Sequence, residues 1–143
     1  MKVFLDTNII IDFYDQRTGF YQPAETIMSL AENNEINITV SATTIINAFY
    51  LLRKRLSIDA LYEEFDYLST FCTVSPVDEK VIKESLSLRR KDFEDSVQYE
   101  SAQAVNADVI VTRNKKDFEN LGANVMTPTE FLNDFFAKKQ DKK

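Results

Sequence analysis

Asp108-Val109-Ile110-Val111-Thr112-Arg113-Asn114-Lys115-Lys116-Asp117-Phe118 opens as a β-branched apolar run and empties at once into a turn of hydroxyl, amide, bases and acid. A run this short and apolar predicts a strand buried on both faces, and its polar exit is richer than a solvated loop requires. The amino terminus has the same design: Val3-Phe4-Leu5 is a short apolar strand ending at Asp6, and Thr7–Tyr14 follows at near-helical spacing. Further strands are predicted at Ile36–Val40, Phe71–Val74 and Asn124–Met126. Helices are predicted from Pro23 to Asn33-Asn34, from Ser41 to Leu56, over Ile58–Thr70 and Asp78–Arg90, from Asp92 to about Asn106, and from Thr127-Pro128 onward. A short helical turn contains Asp117-Phe118.

Strands that alternate with helices predict an α/β fold, a three-layer α/β/α sandwich around a parallel sheet. With the order of the polar motifs, the alternation predicts the strand order 3-2-1-4-5. Helix starts and strand carboxyl ends share one edge of such a sheet, where ligands bind. Asp6, Thr43–Asn47, Asp92–Asp95 and Thr112–Asp117 should therefore converge there.

Composition narrows the chemistry. The chain has 143 residues, 17 Lys and Arg against 23 Asp and Glu, no histidine and one cysteine. The length suits one domain, read as residues 1–137 followed by a charged, fraying tail over 138–143. Without histidine, Ser-His-Asp and Cys-His nucleophiles, imidazole bases and His-ligated zinc are excluded. Cys72 lies in the apolar run Phe71–Val74 and reads as a buried filler residue. Catalysis must then rest on carboxylates, amides, hydroxyls, Lys or Arg, for which a hard cation held by oxygen ligands is the natural partner. No apolar run reaches the roughly 18 residues of a membrane span. Asp6 comes too early for a secretory signal, so a cytoplasmic location is expected. The net charge of −6 disfavours a nonspecific nucleic-acid coat.

Each acidic motif has an ordinary structural explanation. Asp6 or Thr7 could cap the first helix, and Asp92 with Glu94 and Asp95 could favour the positive end of another. Capping does not explain why these segments should face each other across one sheet edge. Clustered carboxylates are mutually unfavourable unless a cation lies among them, so metal binding explains the set better. A haloacid-dehalogenase site would need an acid where Asn8 stands. A response regulator would need an Asp after the third strand, where Val74-Ser75-Pro76 offers none.

The four stretches Val3-Phe4-Leu5-Asp6-Thr7-Asn8-Ile9, Ser41-x-x-Thr44-x-x-Asn47, Asp92-Phe93-Glu94-Asp95-Ser96-Val97-Gln98 and Thr112-Arg113-Asn114-x-x-Asp117-Phe118 are weak singly. Together, in order and spacing over nearly the whole chain, they resemble PIN-domain ribonucleases, particularly VapC-type toxins of toxin–antitoxin pairs. The resemblance implies a PIN-like sandwich and a Mg²⁺- or Mn²⁺-dependent endoribonuclease. Carried over residue by residue, Asp6 and Asp95 become the principal ligands, and Asp117 and Asn114 share the fourth position, with Asp6, Asp95 and Asp117 catalytic. Asp92 becomes an outer-shell or second-metal ligand, and Asn8 and Thr112 become groups that hydrogen-bond the acids. Asn47 stands where the family usually has Glu, and Asn114 where it often has Asp; each change keeps an oxygen and removes a charge. The alternative implied by Asn47 is a PIN-like module that binds RNA or a partner with weak or no cleavage. An RNA substrate and a small cognate antitoxin are the implied partners, and dimers are common in the family. Arg89, Arg90, Arg113 and Lys115 adjoin the acidic motifs and are expected to contact RNA phosphates. Arg53–Arg55 reads as a basic helix end.

Overall fold

A computed structural model describes residues 1–141. The chain runs β1 (Lys2–Leu5), α1 (Thr7–Tyr14), α2 (Tyr21–Glu32), β2 (Asn37–Ser41), α3 (Ala42–Leu52), α4 (Ile58–Leu68), β3 (Cys72–Ser75), α5 (Glu79–Ser87), α6 (Phe93–Ala104) and β4 (Val109–Val111). A 3-10 turn (Lys115–Phe118), β5 (Val125–Met126) and α7 (Pro128–Asp141) complete it. The five strands form one sheet in the order β3-β2-β1-β4-β5, and every pairing is parallel. The expected sandwich and strand order are both found.

Strand alternation makes the layers. Successive side chains of a strand point to opposite faces. Val3 and Leu5 accordingly join the larger core with Ile9 and Ile10 of α1, Ile27 and Met28 of α2, Leu52, Leu61 and Phe131. Phe4 points the other way and packs with Ile110, Ala102 of α6 and Phe118. β1 thus carries side chains into both cores, and the apolar reading of Val109–Val111 follows from the same double burial. Cys72 is buried among apolar groups that push its thiol up to about 12, consistent with a filler role.

Several boundaries differ from the sequence reading, each for a local reason. α2 begins at Tyr21, two residues before Pro23, which still occupies the first turn, where its missing N–H costs nothing. α3 stops at Leu52 because the Leu52 carbonyl accepts from both Arg55 N and Leu56 N, turning the chain toward the Ser57 cap of α4. α5 stops at Ser87 because Arg89 adopts a left-handed φ of 51°. α7 continues through Lys138 and Lys139 to Asp141, past the point where the sequence predicts a fraying tail, and Lys139 pairs with Glu35. Residues 142 and 143 of that tail lie outside the described residues.

The order of strands sets the site. From β1 the chain builds outward to β2 and β3, then returns to add β4 and β5 on the other side of β1. The crevice between the carboxyl ends of β1 and β4 is the switch point where open α/β sheets bind ligands. Asp6 follows β1 and Thr112 follows β4, with Asp6 N donating to the Val111 carbonyl at 3.0 Å.

Phe131 is buried where α7 meets the core. Phe131→Ala should lower unfolding stability by about 3–5 kcal/mol. Denaturant titration checks this; a loss below about 1 kcal/mol would show that α7 is peripheral.

Candidate functional site

Asp6 caps α1 and is only 7% exposed. Its carboxylate accepts hydrogen bonds from donors on three elements. Oδ1 accepts from Thr7 N at 2.9 Å and from Gln98 Nε2 of α6 at 3.0 Å; Oδ2 accepts from the Thr112 hydroxyl at 2.8 Å. Charge-assisted bonds of this kind offset the desolvation of a carboxylate. All three donors are neutral, so the local negative charge is solvated but not cancelled.

Gln98 is the keystone beneath Asp6. It is 1% exposed, and its Nε2 also donates to Thr44 Oγ1 at 3.0 Å. Its Oε1 accepts from the Ser41 hydroxyl, and Ser41 Oγ caps α3 by accepting from Thr44 N at 3.0 Å. Thr44 and Thr7 share a hydroxyl–hydroxyl bond of 2.8 Å. The Ser41-x-x-Thr44 motif is thus a buried polar scaffold that joins β2 and α3 to α6 and α1. Sequence reasoning did not single out Gln98, Ser41 or Thr44 as site residues. For Ser41 and Thr44 the available signal is polar side chains bordering apolar runs, whereas Gln98 sits in a mostly polar helix and has none.

Asp95, in the first turn of α6, and Asp117, in the 3-10 turn, line one open cleft of about 270 Å³ with Asp6, Thr7, Asn8, Ile11, Arg17 and Leu51. Burial, then the charges of Asp117, Asp92, Asp6 and Glu94, push the Asp95 carboxyl up to about 7. Burial and the charges of Asp6 and Asp92 also raise Asp117, against a lowering by Arg90. Among the described residues neither carboxylate makes a side-chain hydrogen bond, and no three acids stand close enough to enclose an ion in their present rotamers. The donor set is oxygen-only and strongly negative, which is the chemistry of a hard divalent cation, and Asp95 and Asp117 are unanchored and able to swing toward one. Asp92 caps α6 by accepting from Asp95 N at 3.2 Å, and it contributes charge to the cleft without lining it.

The other candidates divide. Thr112 bonds Asp6 as expected, whereas Asn8 lines the cleft but bonds no acid: its Nδ2 donates to Thr112 Oγ1 at 3.4 Å. Asn114 is exposed and does not line the cleft; its N–H donates to Thr112 Oγ1 and its carbonyl accepts from Asp117 N, so it shapes the turn that presents Asp117. Asn47 points its amide at Glu94, Nδ2 to Oε1 at 3.1 Å, and is not among the cleft residues.

Three of the four expected phosphate-binding cations have partners within the protein, Arg113 and Arg90 partly buried and Lys115 at the surface. Arg113 forms a two-pronged pair with buried Asp12, at 2.6 and 3.2 Å, and lies over the Phe20 ring at 4.1 Å. Arg90 donates to the carbonyls of Asp117 at 2.8 Å and Glu119 at 2.9 Å. Lys115 pairs with Glu130 at 3.2 Å. The reason is geometric: the turn after β4 must be anchored, and bases beside it find carbonyls and acids at hand. Arg89 is exposed. The base that does line the cleft is Arg17, which the sequence reading passed over because it sits in a loop outside every motif.

Two predictions follow from these charges. In the folded chain Asp95 keeps its proton up to about pH 7, whereas an unfolded Asp loses it near 3.9. Between those values the metal-free fold holds more protons than the unfolded chain, so stability should fall as pH rises from 4 to 7. Asp95→Asn should flatten that fall and melt above wild type at pH 8 in chelator, as read by thermal melts. Separately, Arg113→Met should cost about 3 kcal/mol by leaving Asp12, which is 1% exposed, with only the longer Arg17 contact at 4.0 Å, and Asp12→Leu in the same chain should recover most of it. Denaturant titration of the single and double variants checks the pair.

The PIN domain family pattern matches residues 2–116. Ribonuclease VapC1 of Aquifex aeolicus is 25% identical over 135 residues, covering 91% of this chain and 92% of that protein. Among solved structures, VapBC-1 from nontypeable Haemophilus influenzae superposes with a TM-score of 0.68 at 21% identity, covering 90% of this chain and 99% of that one. A toxin–antitoxin complex from Klebsiella pneumoniae gives 0.67 at 21% identity, with 88% and 97% covered. With the matched pattern spanning β1 to the turn after β4, where Asp6, Asp95 and Thr112 meet, this chain belongs to the PIN domain family.

Proposed function

We propose that the chain is a Mg²⁺- or Mn²⁺-dependent endoribonuclease that hydrolyses RNA phosphodiester bonds and acts as the toxin of a toxin–antitoxin pair in the cytoplasm. The observation that carries this reading is the convergence of Asp6, Asp95 and Asp117 on one cleft at the switch point, where burial and mutual repulsion raise Asp95 and Asp117. The ribonuclease named among its relatives supports the substrate class, and the toxin–antitoxin complex among its structural neighbours supports the partner. A protein partner would also cover the apolar surface left exposed on α3 and α4 at Ile46, Tyr50, Ile58 and Tyr62. Among the described residues no helix is long and apolar enough to cross a membrane.

In this mechanism Asp6, Asp95 and Asp117 would hold the cation, Asp92 would add negative charge from the α6 cap, and Asn114 would shape the turn that presents Asp117. A bound divalent ion lowers the pKa of a coordinated water and stabilises negative charge on phosphate oxygens. The chain's own residues prepare for it. Gln98 and Thr112 fix the Asp6 carboxylate, Arg90 holds the turn that carries Asp117, and Asp95 supplies the adjustable carboxylate. Arg89 is the remaining exposed candidate for contact with the RNA backbone.

The test is cleavage of end-labelled cellular RNA by the purified chain with Mn²⁺, with chelator, and with Asp6→Asn or Asp95→Asn. Cleavage should require the metal, and each variant should fall by more than the about 10–100-fold typical of outer-sphere partners. Mn²⁺ should raise the melting temperature of wild type and leave both variants unmoved. RNA that is bound but uncut would assign the chain to a binding module instead, the outcome tied to Asn47.

A further inference from the structure

The cleft that gathers three acids contains one base. Arg17 stands among its lining residues with Asp6, Asp95 and Asp117, while Arg113, Arg90 and Lys115 are tied to Asp12, to backbone carbonyls and to Glu130. An acidic protein with three of its nearby cations engaged must still receive a polyanion at this opening.

Arg17 is built to stay there. It lies in the α1–α2 connection, where its N–H donates to the Asp12 carbonyl at 3.1 Å. Its own carbonyl accepts from Phe20 N at 3.0 Å and Tyr21 N at 2.9 Å, closing the turn into α2. The guanidinium is steered by two acids: Nε donates to Asp15 Oδ2 at 3.2 Å, and one terminal nitrogen stands 4.0 Å from Asp12 Oδ1. Arginine has five N–H donors in a rigid fork, so most remain for a ligand. The side chain is 46% exposed, which leaves that edge open to solvent.

We propose that Arg17 is a substrate-binding residue that grips an RNA phosphate at the cleft it lines with the three carboxylates. The proposal rests on the endoribonuclease reading and names the group that receives the substrate. A phosphodiester carries negative charge on two oxygens, which matches two parallel N–H donors of a guanidinium. Asp15 and Asp12 hold the fork in place without cancelling it in solvent. The cleft then offers carboxylates for a cation and a guanidinium for a phosphate.

The test uses a fluorescein-labelled 12-nucleotide oligouridylate, in Mn²⁺ at 4 °C, with RNA integrity checked on a gel. Affinity is read by anisotropy across a series of salt concentrations for wild type, Arg17→Ala and Arg17→Lys. Arg17→Ala should weaken binding by about tenfold and reduce the salt slope by about 0.7, the loss of one single-strand phosphate contact. Arg17→Lys should keep the slope and lose part of the affinity, since it keeps the charge without the fork. Melting temperature with and without Mn²⁺ should match wild type in both variants, separating a phosphate contact from an effect on the acids. Wild-type affinity and slope in Arg17→Ala would overturn the proposal and leave the nuclease reading standing, as would a loss of the Mn²⁺ shift in that variant. A wild-type chain that neither binds nor cuts RNA would overturn the nuclease reading and this proposal with it.

Discussion

The desolvated carboxylate of Asp6 is the constraint around which the site is assembled. It sits at the end of the central strand, capping the helix that follows, and it has little water to satisfy it. Its hydrogen bonds come from Thr7 at the start of α1, Gln98 in α6 and Thr112 after β4. A buried acceptor left without donors costs about 1–3 kcal/mol, and more when charged, so these three elements are held in register by the need to serve one group. Through Gln98 the requirement extends to Ser41 and Thr44, and hence to β2 and α3.

The same fold treats two kinds of buried acid in opposite ways. Asp12 is almost completely enclosed, and burial raises its pKa, but Arg113 answers with a two-pronged ion pair. That pair is structural, tying α1 to the turn after β4. Asp95 is less buried, yet every charge acting on it is negative, and no hydrogen bond restrains its carboxylate among the described residues. An uncompensated acid in a cleft is an energetic cost to the empty fold, and costs of that kind collect where a ligand relieves them.

Positive charge is distributed by the same logic. Arg90 secures the backbone of the turn that carries Asp117, and Lys115 joins that turn to α7 through Glu130. These bases keep the acidic wall in place. Among the described residues Arg17 alone of the bases lines the cleft, steered by Asp15 and Asp12.

The architecture is legible in the sequence because it rests on period and order. Val3–Leu5 and Val109–Val111 are too apolar to be anything but strands covered on both faces, and strands separated by helical stretches leave a parallel sheet as the consistent arrangement. The same topology brings Asp6, Asp95 and Asp117 to one edge, since helix starts and strand ends lie there whatever the rotamers. Hydrogen-bond partnership has no such periodicity. Gln98 reads as one polar residue in a helix until burial places its amide against Asp6, 92 positions away in the chain. Arg113, Arg90 and Lys115 read as free bases until Asp12, the Asp117 carbonyl and Glu130 arrive beside them. Arg17 belongs to no motif, and only the closing of the α1–α2 turn carries it to the acids. Elements follow from local pattern, whereas which charges are compensated depends on groups far apart in the chain, and that is settled by how the layers pack.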